Sequence, residues 1–192
     1  MKLTESHHMV WNLVLSALFL ALGIVLPFFT GQIPQIGSML LPMHIPILLC
    51  GLICGWTYGL TVGFVLPLLR SLLFAMPPFI TALAMAFELA AYGFLAGFLY
   101  RHAKRQCLAV LYRALVFAMV GGRIIWGVAR VLLSGATGEA FTWQLFLSGA
   151  LLTAIPGIVL QLILIPAIMV ALDRTGIVRF SRSDACPAAE RT

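Results

Sequence analysis

Residues 81–105 read TALAMAFELAAYGFLAGFLYRHAKR: twenty residues carrying one charged side chain, Glu88, and then at once Arg101, His102, Lys104 and Arg105. At ~1.5 Å per residue a helix of that length reaches about 30 Å, the thickness of a bilayer's hydrocarbon core. Basic clusters flanking such segments collect on the cytoplasmic side. This stretch therefore reads as a transmembrane helix whose cytoplasmic end is at Arg101, and it sets the register for the chain on either side. Composition points the same way. The chain has 192 residues, 62% of them hydrophobic and 9% charged, with a mean hydropathy of +1.07; soluble domains run near ~45–50% apolar and ~25% charged. Disordered, collagen-like, coiled-coil and disulfide-stapled secreted proteins are all excluded. Lipid is the natural solvent.

Working outward, five further apolar runs appear, at about residues 9–29, 44–56, 58–74, 107–133 and 147–172, each separated by breakers or polar residues. The second and third are short and close together, which predicts tilt or a thin local membrane. The turns after the first, third and fifth runs contain no Lys or Arg, and Glu139 is their only charge. The opposite set holds Lys2, the Arg101 to Arg105 cluster, and Arg174, Arg179, Arg182 and Arg191. The expected fold is an all-α membrane protein, a compact bundle of six transmembrane helices with both termini cytoplasmic. Most of the net charge of +6 is then topological, and nucleic acid is not an expected partner. A signal peptide is the competing reading of the start, but the run is long and no small-x-small cleavage site followed by a polar segment closes it.

Small residues at four-residue spacing let helices approach closely in lipid. Gly51 and Gly55, Gly59 and Gly63, Gly93 and Gly97, and Ala17 and Ala21 fit that spacing, most of them as packing inside the bundle. Pro67, Pro156 and Pro166 fall within the runs. Cys50 and Cys54 lack the His or carboxylate company a metal site needs, and neither they nor Cys107 and Cys186 suggest a disulfide; no metal or cofactor is expected.

Charges inside spans are costly and mark function. Arg70, Glu88, Arg123 and Arg130 are such charges, whereas Arg113 lies near enough to the basic side to snorkel. Counted along their helices, the first three lie in the outer half of the membrane. Arg130 follows Arg123 by two turns with Trp126 between them, on nearly one stripe. Three Arg against one Glu leave positive charge to be balanced, and a guanidinium is a planar fork suited to carboxylate or phosphate. The bland account pairs Glu88 with one Arg and sends the others to the outer headgroups. The sharper account is a pocket for an anionic solute, with His44, Tyr92 and Gln161 as further lining candidates. The chain has no G-x-x-x-x-G-K-[ST], H-E-x-x-H or G-x-S-x-G motif, so ATP binding and the usual hydrolase chemistries lack their residues. A pocket without an engine suggests a binding subunit.

The stretches IGSMLLPMHIPILLCGLICG (residues 36–55), YGLTVGFVLPLLRSLLFAMPP (58–78) and MAFELAAYGFLAGFLY (85–100) resemble the substrate-binding S component of energy-coupling-factor (ECF) vitamin transporters. Residues 17–21, ALFLA, match the Ala-x-x-x-Ala motif that the family places on its first helix. The resemblance covers about residues 13–172. PMHIP, PLLRSLLF, MAFELA and GRIIWG are most similar to the pantothenate group, whose ligand offers one carboxylate, two hydroxyls and an amide. Residues 1–178 are expected to form one substrate-binding membrane domain, and 179–192, without a counterpart in the family, a disordered cytoplasmic tail. The resemblance also implies a multi-pass subunit of the bacterial cytoplasmic membrane, whose partners are a transmembrane coupling subunit and two ATPases that do the hydrolysis. Residues 30–41 would gate the pocket, and the loaded subunit would topple in the bilayer to release the vitamin. Ala17 and Ala21 would dock on the coupling subunit. Arg123 or Arg70 would grip the anion, Glu88 would orient an Arg or accept from a ligand hydroxyl, and Trp126 would form an apolar wall, with Arg130 nearby. Two alternatives stand beside this. One is an S component for pyridoxine or a hydroxymethylpyrimidine; the other is a small intramembrane enzyme acting on an anionic lipid, with His44 and Glu88 as acid and base.

Overall fold

The structure is a computed structural model, and it describes residues 2–29, 41–103, 107–137 and 155–174, with side chains for 7–28, 41–103, 107–135 and 155–174. The expected gate at 30–41, apart from Leu41, the start of the sixth run and the 179–192 tail lie outside the described residues. Six helices form the described chain: α1 Lys2–Phe29, α2 His44–Ile53, α3 Trp56–Phe74, α4 Phe79–His102, α5 Leu108–Thr137 and α6 Ile155–Arg174. No strand occurs among the described residues. Five of the six are long and apolar enough to cross a membrane. The exception is α2, at 10 residues about 15 Å long, or half of a ~30 Å hydrocarbon core.

Of the two runs expected to be short, the second is a half-length helix while the third, at 19 residues, is long enough to cross, and the cause is local. Gly55 has φ +106°, a conformation open to glycine and strained for other residues, so the chain reverses there between α2 and α3. At the other end of α3, Ala75 takes the left-handed conformation (φ +53°) that stops a helix. Pro67 and Pro166 lie inside α3 and α6. Pro156 is the second described residue of α6.

Packing partners fix the direction of each helix. A Cβ on Gly59 would meet Gly51, one on Gly93 would meet the Gly59 backbone, and one on Gly63 would meet the Leu89 carbonyl. As residue numbers rise on α3 they fall on α2 and α4, so α3 runs antiparallel to both. Gly23 faces Leu66, and the Phe28 and Phe74 rings meet edge to face at 4.9 Å, so α1 runs parallel to α3. Gly121 packs on Leu95 and Gly122 on Tyr92, which turns α5 against α4. Tyr100 near the end of α4 is within electrostatic reach of Asp173 near the end of α6, so these two run the same way. Strict alternation results, and α1 starts on the face of the bundle where α6 ends.

The glycines are the seam of the core, as their spacing predicts. α2, α3 and α4 touch backbone to backbone through Gly51, Gly59, Gly93 and Gly97, contact that dispersion forces reward without any hydrophobic drive from lipid. Around this seam Ile47, Leu48, Leu66, Leu89, Leu111, Leu115 and Ile165 are fully buried. Outward-facing positions are large and apolar, among them Leu72, Ile124 and Ile163, as lipid-facing surfaces are. Cys50 and Cys54 are free. Cys107 is disulfide-bonded, contrary to the sequence expectation, and its partner lies outside the described residues.

Candidate functional site

Because α2 is short, its first residue, His44, starts deep in the bundle beside the middle of α4. His44 is 1% exposed, and its ring meets the Tyr92 ring edge to face at 4.9 Å. Its Nε2 lies 3.6 Å from Glu88 Oε1. From α5, Arg123 brings Nη1 to 3.2 Å from the same carboxylate oxygen. Tyr92 stands one turn below Glu88 on α4, and its hydroxyl interacts with both Glu88 and Arg123. Three helices thus place an imidazole, a carboxylate, a phenol and a guanidinium in one buried group.

The local sequence explains the approach of α5. A Cβ on Gly122 would sit 2.8 Å from the Tyr92 ring; with hydrogen there instead, the helix lies flat on the ring and the next residue, Arg123, is delivered to Glu88. Sequence reasoning names Arg123 and Tyr92 but passes over Gly122, whose signal was the Gly-Gly pair just ahead of an intramembrane Arg.

The charges of the group are unevenly satisfied. Glu88 is 2% exposed and Arg123 16%, a buried ion pair whose rupture typically costs about 3–5 kcal/mol because one charge is left uncompensated. Yet the Nε and Nη2 atoms of Arg123 and both ring nitrogens of His44 are buried without a hydrogen-bond partner. So is Nε2 of Gln161, itself 1% exposed. Gln161 and Asp173 are twelve residues apart, as are Glu88 and Tyr100, so at ~1.5 Å per residue Gln161 sits at about the depth of Glu88. A buried donor left unpaired costs about 1–3 kcal/mol. Oε1 of Glu88 is also buried without a hydrogen bond, and a neutral imidazole has one donor and one acceptor nitrogen, so the group holds unpaired donors and acceptors together.

The other predicted site residues lie elsewhere. Arg70 is 5% exposed, but it is turned toward backbone: Nε donates to the Met76 carbonyl at 3.3 Å and Nη1 to the Ile24 carbonyl at 3.1 Å. Its guanidinium also lies 5.5 Å from the Phe28 ring centroid. The alignment of α3 with α4 puts it level with Ala82, about 9 Å toward the α3–α4 turn from Glu88. Arg130 is about 10 Å from Arg123 along α5, with its guanidinium 5.9 Å from the Trp126 ring, a cation–π contact. Ala17 and Ala21 are exposed on α1, on a face with Leu13, Val14, Leu18 and Leu22. Among the described residues no group of three or more His, Cys, Asp or Glu is placed to hold a metal ion.

Comparison with known proteins adds the family. Residues 12–169 match the family described as ECF transporter, substrate-specific component. No curated protein and no solved structure matches the chain. With a buried polar cluster inside an all-helical membrane bundle and most of the chain within the family match, the protein belongs to the substrate-specific components of ECF transporters, multi-pass transport subunits that associate with the membrane and ATPase subunits of the ECF module.

Proposed function

We propose that this subunit captures a water-soluble vitamin bearing a carboxylate, pantothenate above all, at the His44, Glu88, Tyr92 and Arg123 group. The observation that carries this is the state of Arg123. One corner of its guanidinium, Nη1, is committed to Glu88, while the Nε/Nη2 edge is buried and unpartnered. That edge presents two parallel N–H groups, the fork that matches a carboxylate. Glu88 then acts as a positioning group: it orients the guanidinium and offsets part of its charge, so that the empty site does not hold a bare cation. His44 and Gln161 supply hydrogen bonds for hydroxyl and amide groups, as pantothenate offers. The N-terminus of α2, which begins at His44, adds a partial positive charge.

In this proposal Trp126 and Arg130, farther out on α5, line the path into the site. Arg70 holds the end of α1 against the α3–α4 turn. Positive-inside placement of Lys2, Arg101 and Arg174 puts both termini in the cytoplasm of a bacterial cell and the solute's entrance outside. The exposed Ala17 and Ala21 face on α1 docks on the coupling subunit, after which the loaded subunit topples to release its cargo.

Isothermal titration of the purified subunit tests this directly. Pantothenate is expected to bind at micromolar concentration or tighter and panthenol, its neutral alcohol analogue, at least tenfold more weakly. Binding of neutral or cationic vitamins with no response to pantothenate would overturn the substrate, and turnover of lipid by the purified chain would overturn a pure binding role.

A further inference from the structure

On the α5–α6 side of the bundle, a groove of about 500 Å³ opens, within the ~300–1,000 Å³ of small-ligand pockets; it runs from Ile163, two residues past Gln161, to Arg174 at the end of α6. Its walls include Leu108, Tyr112, Ile163, Pro166 and Ala171, and Arg174 stands at one end. Neither the transport reading nor the family match uses this place.

The groove has the dimensions and polarity of one leaflet. From Ile163 to Arg174 is eleven residues of α6, about 16 Å of helix, against about 15 Å for half of a hydrocarbon core. Its lining is apolar along that length, on helices whose outer faces carry exposed Ile163 and Leu164. The polar element arrives where a headgroup would be: Arg174 is an exposed guanidinium on the last turn of α6. Arg113, next to Tyr112, is exposed on the same end of α5. The only nearby acid on α6, Asp173, is within reach of Tyr100 on α4. Alanine at 167 and 171 keeps the floor low, and Pro166 replaces a bulkier helix former there.

We infer that this groove binds one anionic phospholipid, an acyl chain lying along α6 between Ile163 and Ala171 and the phosphate held by Arg174. Positive clefts between membrane helices at the cytoplasmic level are where anionic headgroups collect. Anchoring there fixes the α5–α6 pair against the leaflet.

Native mass spectrometry of the full chain in detergent, with dioleoyl-phosphatidylglycerol or dioleoyl-phosphatidylcholine added, tests the inference. One phosphatidylglycerol should be retained in about fivefold preference, the ratio expected for ~1 kcal/mol from one Arg near the membrane surface. Arg174→Gln should bring the ratio to about one, and Ala171→Phe should displace the lipid altogether. Neither should change the thermal shift given by the vitamin. Equal retention of the two lipids, an unchanged ratio in Arg174→Gln, or lipid retained in Ala171→Phe would each overturn the site. So would displacement of phosphatidylglycerol by inorganic phosphate, which would mean an ion site without an acyl chain. If phosphatidylglycerol is retained only after truncation following Arg174, the groove belongs to the chain's own C-terminal segment and not to lipid.

Discussion

Replacing Arg123 by Lys separates the two tasks assigned to that residue. A lysine ammonium can still neutralise Glu88 at the distance where Nη1 now sits, 3.2 Å from Oε1, so the buried ion pair survives as a point-charge contact. What disappears is the unpartnered Nε/Nη2 edge. A hydrogen bond to a charged partner contributes about 1.5–3 kcal/mol net. Loss of two, with the residual attraction of the ammonium offsetting about one, weakens binding by that same amount, or about 10- to 160-fold. Calorimetric titration with pantothenate and panthenol reads the effect: affinity for the acid should fall by this factor while affinity for the neutral analogue changes little. The melting temperature without ligand should stay within a few degrees of the parent. In Arg123→Ala, by contrast, uncompensated Glu88 should lower stability by about 3–5 kcal/mol, and the double variant Glu88→Gln/Arg123→Ala should recover much of it. An acid-to-neutral ratio unchanged in Arg123→Lys would refute the fork as the anion grip.

Three other outcomes are expected. Gly93→Ala drives a Cβ into the Gly59 backbone, an overpacking of about 1–3 kcal/mol, and should lower the melting temperature by several degrees, whereas Gly135→Ala, with nothing within 4 Å of its added Cβ, should be neutral or stabilising. Arg70→Met removes two bonds to the Ile24 and Met76 carbonyls and should destabilise by about 1.5–3 kcal/mol while leaving the acid-to-neutral ratio intact; collapse of that ratio would make Arg70 the grip. Trp at Ala17 and Ala21 should abolish uptake in proteoliposomes containing the full ECF complex with ligand binding by the isolated subunit unchanged, and loss of binding would show that this face of α1 serves the bundle's interior.

Much was determined by the sequence alone. Runs of apolar residues and the positions of twelve basic ones set the all-helical membrane class, because lipid forces each backbone to satisfy its own hydrogen bonds. Glycine spacing announced close helix contacts, and the cost of burying charge marked Arg70, Glu88, Arg123 and Arg130 alike before any coordinates. Only the tertiary structure decided which charges meet. Arg70 and Arg123 look alike in sequence, each a lone guanidinium in a span, yet one binds backbone carbonyls and the other a carboxylate. The difference lies in helix register: antiparallel packing of α3 on α4 lifts Arg70 about 9 Å above Glu88, while Gly122 lets α5 settle on Tyr92 and lowers Arg123 to it. Hydropathy marked the second run as short but could not show that α2 ends at Ile53. That followed from the glycine turn at Gly55, and it is what places His44 deep in the bundle, where an unpaired imidazole requires a partner.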